Sequence, residues 1–269
     1  MDYPNADRWG NPIFPDPITG EERSWTRATT VAKALDDGGG LINWTGAMVA
    51  GGCYLRNDLV GKVGARWPMT DDNKGEIYGL VQELKDAGGG SVGRNLGDTL
   101  HEMLRRILKG EDIKPMPPFD ADVKAGLDLL ERAGMTIRPE LVERTICIPD
   151  LGIAGSCDMF ADVPRWSTDE LFTVDWKTGK VGSYSWAAWV AQLTIYAHAT
   201  HIWDWDTRSF EAMPPVNRRR GFIASVPAGS ASAQLYVVDL EPGRQAIKAA
   251  LWVREWRKQA KNLARAARI

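Results

Sequence analysis

Residues 152–177 read GIAGSCDMFADVPRWSTDELFTVDWK, and this stretch decides the fold. Residues 153–163 and 171–176 are strand-like runs of mainly apolar side chains, separated by a polar loop around 167–170, and they predict two strands. A third is expected over 140–148. The gap Pro149-Asp150-Leu151-Gly152 between it and the next strand is short enough for a hairpin.

Working outward, Leu96, Leu100, Met103, Leu104, Ile107 and Leu108 follow the i, i+3, i+4 spacing of an amphipathic helix over about 92–109. A Pro-rich loop (Pro115, Pro117, Pro118) and a short helix near 121–133 lead into the strands. After them come a helix over about 185–202, strands near 221–226 and 234–240, and a basic C-terminal helix. The order α, β, β, β, α, β, β, α predicts an α/β chain with a mixed central sheet flanked by helices. Upstream, residues 1–30 read as an irregular arm rich in Pro, Asp and Gly. Thr29 or Thr30 is a candidate N-cap for a helix that ends at Gly38-Gly39-Gly40. Helices near 41–59 and 74–86, closed by Gly88-Gly89-Gly90, make residues 1–90 an N-terminal arm and helical lobe, with residues 91–269 as the core.

The 269 residues are 44% hydrophobic and 25% charged, which excludes a disordered, fibrous or disulfide-stapled chain. No stretch approaches the roughly 18 consecutive apolar residues of a membrane span, and Pro4, Pro12, Pro15 and Pro17 stand where a signal peptide needs an apolar run, so a cytoplasmic protein without a membrane partner is expected. Cys53, Cys147 and Cys157 cannot all pair and form no C-x-x-C, so reduced, buried thiols are expected. The net charge of −2 conceals an asymmetry: residues 243–269 carry +7 and the remainder −9. Such a distribution fits either a polyanion-binding face or a solvated helix.

Asp175-Trp176-Lys177 ends a strand, where positions i and i+2 share a face, so a carboxylate and an ammonium stand side by side. Asp158 lies 17 residues earlier in an otherwise apolar strand. On adjacent antiparallel strands the two carboxylates would meet, and their burial would call for a cation. His101 lies on the 92–109 helix four residues after Gly97, whose missing side chain would permit close packing on the sheet. A lone helical histidine also serves as plain structure. Gln192 and Tyr196, at i and i+4, share one helix face.

The order G-x-x-x-H (Gly97 to His101), G-x-x-D (Gly155 to Asp158), D-x-K (Asp175 to Lys177) and Q-x-x-x-Y (Gln192 to Tyr196) resembles the RecB-type branch of the PD-(D/E)XK nuclease superfamily, over about residues 93–240. That branch includes RecE-like phage exonucleases and the CRISPR-adaptation nucleases. The resemblance implies a restriction-endonuclease-like fold. By motif, His101, Asp158, Asp175 and the Trp176 carbonyl would be metal ligands for one or two Mg²⁺ or Mn²⁺ ions. Lys177 would orient or deprotonate the attacking water and stabilise charge on the phosphate. Gln192 and Tyr196 would support Lys177 or the DNA backbone. Glu143 is a further ligand or an edge-exposed acid, and Asp98, where the motif often has Thr, is an added acid or a surface one.

The implied activity is a DNA exonuclease of phage recombination or replication, acting on linear duplex ends in the host cytoplasm, beside a single-strand annealing protein and as a possible homo-oligomer. An endonuclease or single-strand nuclease on the same residues, and a DNA-binding protein without catalysis, are the alternatives. The iron-sulfur cysteines of the CRISPR-adaptation branch are missing, so no cluster is expected, and no G-x-x-x-x-G-K-[ST] loop offers an ATP site. Arg27 and Arg94 are candidates for a terminal phosphate, and Arg257, Lys258, Lys261 and Arg265 for the DNA backbone. Trp186 and Trp189 either stack on bases or fill the core. His198 and His201, three apart, have no nearby Glu or Cys to complete a metal site.

Overall fold

The computed structural model describes residues 3–36, 38–179, 181–182, 186–260 and 262–263. Its elements are β1 (Ile13–Pro15), β2 (Glu22–Ser24), β3 (Thr26–Arg27), α1 (Ala28–Ala32), α2 (Gly39–Leu55), α3 (Asn57–Gly64), α4 (Lys74–Ala87), α5 (Val92–Leu108), α6 (Asp120–Arg132), β4 (Thr136–Ile137), β5 (Thr145–Ile148), β6 (Ile153–Ser156), β7 (Met159–Val163), β8 (Ser167–Lys177), α7 (Trp186–Ala197), β9 (His201–Asp204), β10 (Ser209–Ala212), β11 (Arg220–Ser225), β12 (Gln234–Asp239) and α8 (Gly243–Ala260). Two mixed five-stranded sheets, ordered β10-β9-β5-β6-β3 and β12-β11-β8-β7-β4, make this an α/β protein. Among the described residues no helix is long and apolar enough to cross a membrane.

The chain divides into two units: residues 37–101, and the remainder up to residue 36 and from 102 onward. The division falls inside α5. In the smaller unit α2 and α4 touch backbone to backbone, since a Cβ on Gly52 would lie 1.8 Å from the Leu84 carbonyl oxygen.

In the larger unit β8 is the spine. Leu171 to Trp176 are all buried, the unbroken apolar run expected of a strand covered on both faces. It pairs antiparallel with β7 and parallel with β11, and α7 lies within the chain connection between the two parallel strands. Buried Leu193, Ile195, Tyr196 and Ala197 on α7 join Ile146, Ile153 and Ile223 from the strands in one core.

Several expectations are corrected. The N-terminal segment is not irregular throughout: among its described residues, β1 and β2 form a short hairpin and β3 adds to a sheet beside β6. The cause is aromatic burial. Phe14 stacks on Trp25 at 4.7 Å and on Trp203 at 5.4 Å, and the Trp25 indole N–H donates to the Phe14 carbonyl. This segment packs with the core unit, whereas the sequence grouped it with the lobe. Neither Thr29 nor Thr30 caps α1; Arg27 holds the N-cap position, without a side-chain bond.

The strand expected over 153–163 is two strands in two different sheets, β6 and β7, with Cys157 and Asp158 at the corner between them. The strand expected over 140–148 is only β5, because Glu143 turns the chain at φ 53°. The helix expected over 185–202 ends at Ala197, and a β9–β10 hairpin follows.

Candidate metal and catalytic site

The site is built on the sheet-switching corner. Met159 pairs with Val174 across β7 and β8, so Asp158, one residue earlier, faces the position of Asp175. The Trp176 backbone N–H donates to Asp158 Oδ2 at 2.7 Å. Beside it, the Cys157 thiol donates to the Met159 carbonyl at 3.3 Å.

The Glu143 backbone N–H is shared between the carbonyls of Cys157 and Asp158, at 3.2 and 3.3 Å. These bonds hold a non-glycine residue in the left-handed region, an arrangement that persists only where its surroundings fix it. The Glu143 side chain is 11% exposed, so it is not an edge-exposed acid, and Arg105 Nε lies 3.5 Å from its Oε2. His101 is one helical turn before Arg105 on α5, which runs unbroken through the division, and i, i+4 residues share a face. The ligand-capable carboxylate oxygens of Glu143 and Asp158, both in the larger unit, lie within 4.8 Å of one another. Asp175 is not a member of this group.

Asp175, 2% exposed, instead forms an ion pair with Lys177. Gln192 Nε2 lies 3.3 Å from Asp175 Oδ1 and donates to the Tyr196 hydroxyl at 2.8 Å. Tyr196 is buried and supports Gln192, on the side of Asp175 and its partner Lys177. Burial, with the Asp175 carboxylate beside it, holds its phenol neutral, well above the ordinary tyrosine range. Gly155 makes the room: a Cβ there would lie 2.9 Å from both Ala28 Cβ and Tyr196 Cε1. For Lys177 burial pulls the pKa down, but the Asp175 and Asp158 carboxylates outweigh it and raise the value. The two carboxylates therefore favour the charged ammonium. Its Nζ also lies 5.4 Å from the centroid of Trp189.

Arg105 is the residue that sequence reasoning overlooked, although its spacing from His101 was legible. Arg27 is half-buried on β3, its guanidinium 5.9 Å from the Tyr3 ring centroid. Arg94 and Asp98 are exposed on α5. Arg257 and Lys258 are exposed near the end of α8, while Lys261 and Arg265 lie outside the described residues. Trp186 and Trp189 pack edge to face at 5.2 Å, partly buried against the core. His198 and His201 do not share a helix: His198 Nδ1 meets the Thr194 carbonyl and His201 sits on β9.

Burial pushes the Cys147 thiol up to about 12 and the Cys157 thiol well above its ordinary value. In native protein a thiol reagent should therefore modify Cys53 alone within minutes, with three thiols titrating after denaturation. Rapid labelling of Cys157, mapped by mass spectrometry, would contradict the packing of the corner.

In comparisons with known proteins, no protein-family model and no curated protein matches this chain.

Proposed function

We propose that this protein is a divalent-metal-dependent deoxyribonuclease of the PD-(D/E)XK kind that degrades linear DNA from its ends. The observation that carries the reading is the Asp158 to Trp176 N–H bond at 2.7 Å. It ties the acid of one motif to the middle of the Asp175-Trp176-Lys177 motif, and Gln192 and Tyr196 of a third motif close on Asp175 from α7.

The paired Glu143 and Asp158 carboxylates, with the His101 imidazole that the G-x-x-x-H motif adds to this reading, fit Mg²⁺ or Mn²⁺, since carboxylate oxygens with one imidazole suit hard divalent ions. Such an ion, when bound, supplies Lewis-acid polarisation of the phosphate and a more acidic water. The chain's own residues do the rest. Asp158 holds the end of β8 through the Trp176 amide, which fixes where Lys177 emerges. Lys177 presents a positive charge to a phosphate oxygen as negative charge develops there. Gln192 and Tyr196 keep Asp175, and with it the ammonium, in one geometry.

Linear, nicked and closed circular duplex, end-labelled, incubated with Mg²⁺, Mn²⁺ or EDTA, test the reading. Linear DNA with 5′-phosphates should be degraded with either ion and spared in EDTA, and closed circles should resist. Arg27→Ala or Arg94→Ala should narrow the preference for phosphorylated over hydroxyl ends, as guanidinium recognition of phosphate requires. Undiminished cleavage in EDTA would remove the metal site, and rapid cutting of closed circles would make the enzyme an endonuclease on the same residues.

A further inference from the structure

On α8 the buried residues are Gly243, Ile247 and Ala250. Elsewhere on its surface Arg244, Lys248, Trp252 and Trp256 follow one another at four-residue intervals, and all four are exposed. Four residues advance a helix by about 6 Å, so these side chains form one continuous stripe. Trp252 is 65% and Trp256 46% exposed, and their rings are parallel within 1° at a centroid distance of 5.9 Å. Two indoles left in water forgo burial that a core would reward. Arg257 and Lys258 adjoin them, and Glu255 is the only acid on the helix.

We infer that this stripe is a binding surface for single-stranded nucleic acid, the indoles stacking on bases and the cations meeting phosphates. Charge complementarity selects this occupant. A second copy apposing the same helix would bring like charges together, whereas a polyanion neutralises them. Flat aromatic faces framed by cations are the chemistry that holds unpaired bases without reading sequence. The inference takes from the nuclease reading only the kind of ligand. The stripe is separate from the residues assigned to cleavage, and it would hold the unpaired strand left when one strand of an end is removed.

The test uses the full chain in EDTA, with a labelled oligothymidylate of about 16 nucleotides followed by fluorescence anisotropy. The Trp252→Ala/Trp256→Ala double variant should bind at least about tenfold more weakly, and the Phe pair should retain most of the affinity. The dependence on salt should keep its slope in both, since phosphate contacts are unchanged. Equal binding by the wild type and the alanine pair overturns the inference. So does a shift of the alanine pair from oligomer to monomer with oligonucleotide binding intact, which would give the stripe to a second copy. Cleavage is scored separately on blunt duplex with Mg²⁺: stripe-dependent binding in a protein that cuts nothing sustains this inference and removes the nuclease reading, while cleavage without oligonucleotide binding does the reverse.

Discussion

Lys177→Met, Asp175→Asn and Asp158→Ala should each lower Mg²⁺-supported cleavage of linear DNA by at least about 100-fold, the range expected when a group that stabilises transition-state charge is removed. The choice of replacements matters. Asp175 is 2% exposed and Lys177 is 18% exposed, so truncating either to alanine strands its partner's charge in a poorly hydrated place. Methionine keeps the stem of Lys177 without its charge, and asparagine keeps an oxygen that Gln192 can meet. Circular dichroism melts of each variant separate a lost reaction from a lost fold. Folded Lys177→Met protein that cuts at the wild-type rate would take the ammonium out of the chemistry, whatever the metal dependence. Asp158→Ala is expected to do more than remove a ligand: it also deprives the Trp176 N–H of its acceptor, so the end of β8 should loosen.

How much of this was legible in the sequence depends on which signal each residue carries. The β8 run was plain because six consecutive buried residues leave a continuous apolar string. The corner at Cys157 and Asp158 was not, because β6 and β7 are both apolar and composition is silent about which sheet a strand joins. Only the polar side chain of Asp158 marked the place, and it was read as an acid inside one strand. Glu143 was hidden for the opposite reason: its left-handed turn is fixed by bonds to carbonyls 14 and 15 residues away, which local propensity does not contain. The β9–β10 hairpin did have a local signal. Asp204 Oδ1 accepts from the N–H groups of Asp206 and Thr207, a side-chain turn written in the Trp203 to Thr207 sequence. The many tryptophans, read as base stackers or core, divide by place: Trp25 and Trp203 fill the core beneath the N-terminal hairpin, whereas Trp252 and Trp256 face water.

Gly155→Ala should damage both stability and activity, which links the motif to the fold more directly than any change of a charged residue. The added Cβ would sit 2.9 Å from Ala28 Cβ and from Tyr196 Cε1, closer than carbon atoms tolerate, and neither neighbour is the loose end of a flexible chain. Ala28 begins α1 directly after β3, and Tyr196 is fully buried on α7, so relief requires moving an element. Overpacking of this kind costs about 1–3 kcal/mol, and for a domain of this size each kcal/mol lowers Tm by about 2–4 °C. The same displacement passes from Tyr196 through the 2.8 Å bond to Gln192 and on to Asp175, so cleavage should fall by about tenfold or more in protein that is still folded. Adding Ala28→Gly opens one of the two clashes and should restore part of the lost Tm while leaving the Tyr196 contact, and hence most of the activity loss, in place. A Gly155→Ala protein with unchanged Tm would mean that β6, β3 and α7 pack more loosely than these distances require, and an unchanged rate in a destabilised protein would disconnect Tyr196 from the geometry of Asp175.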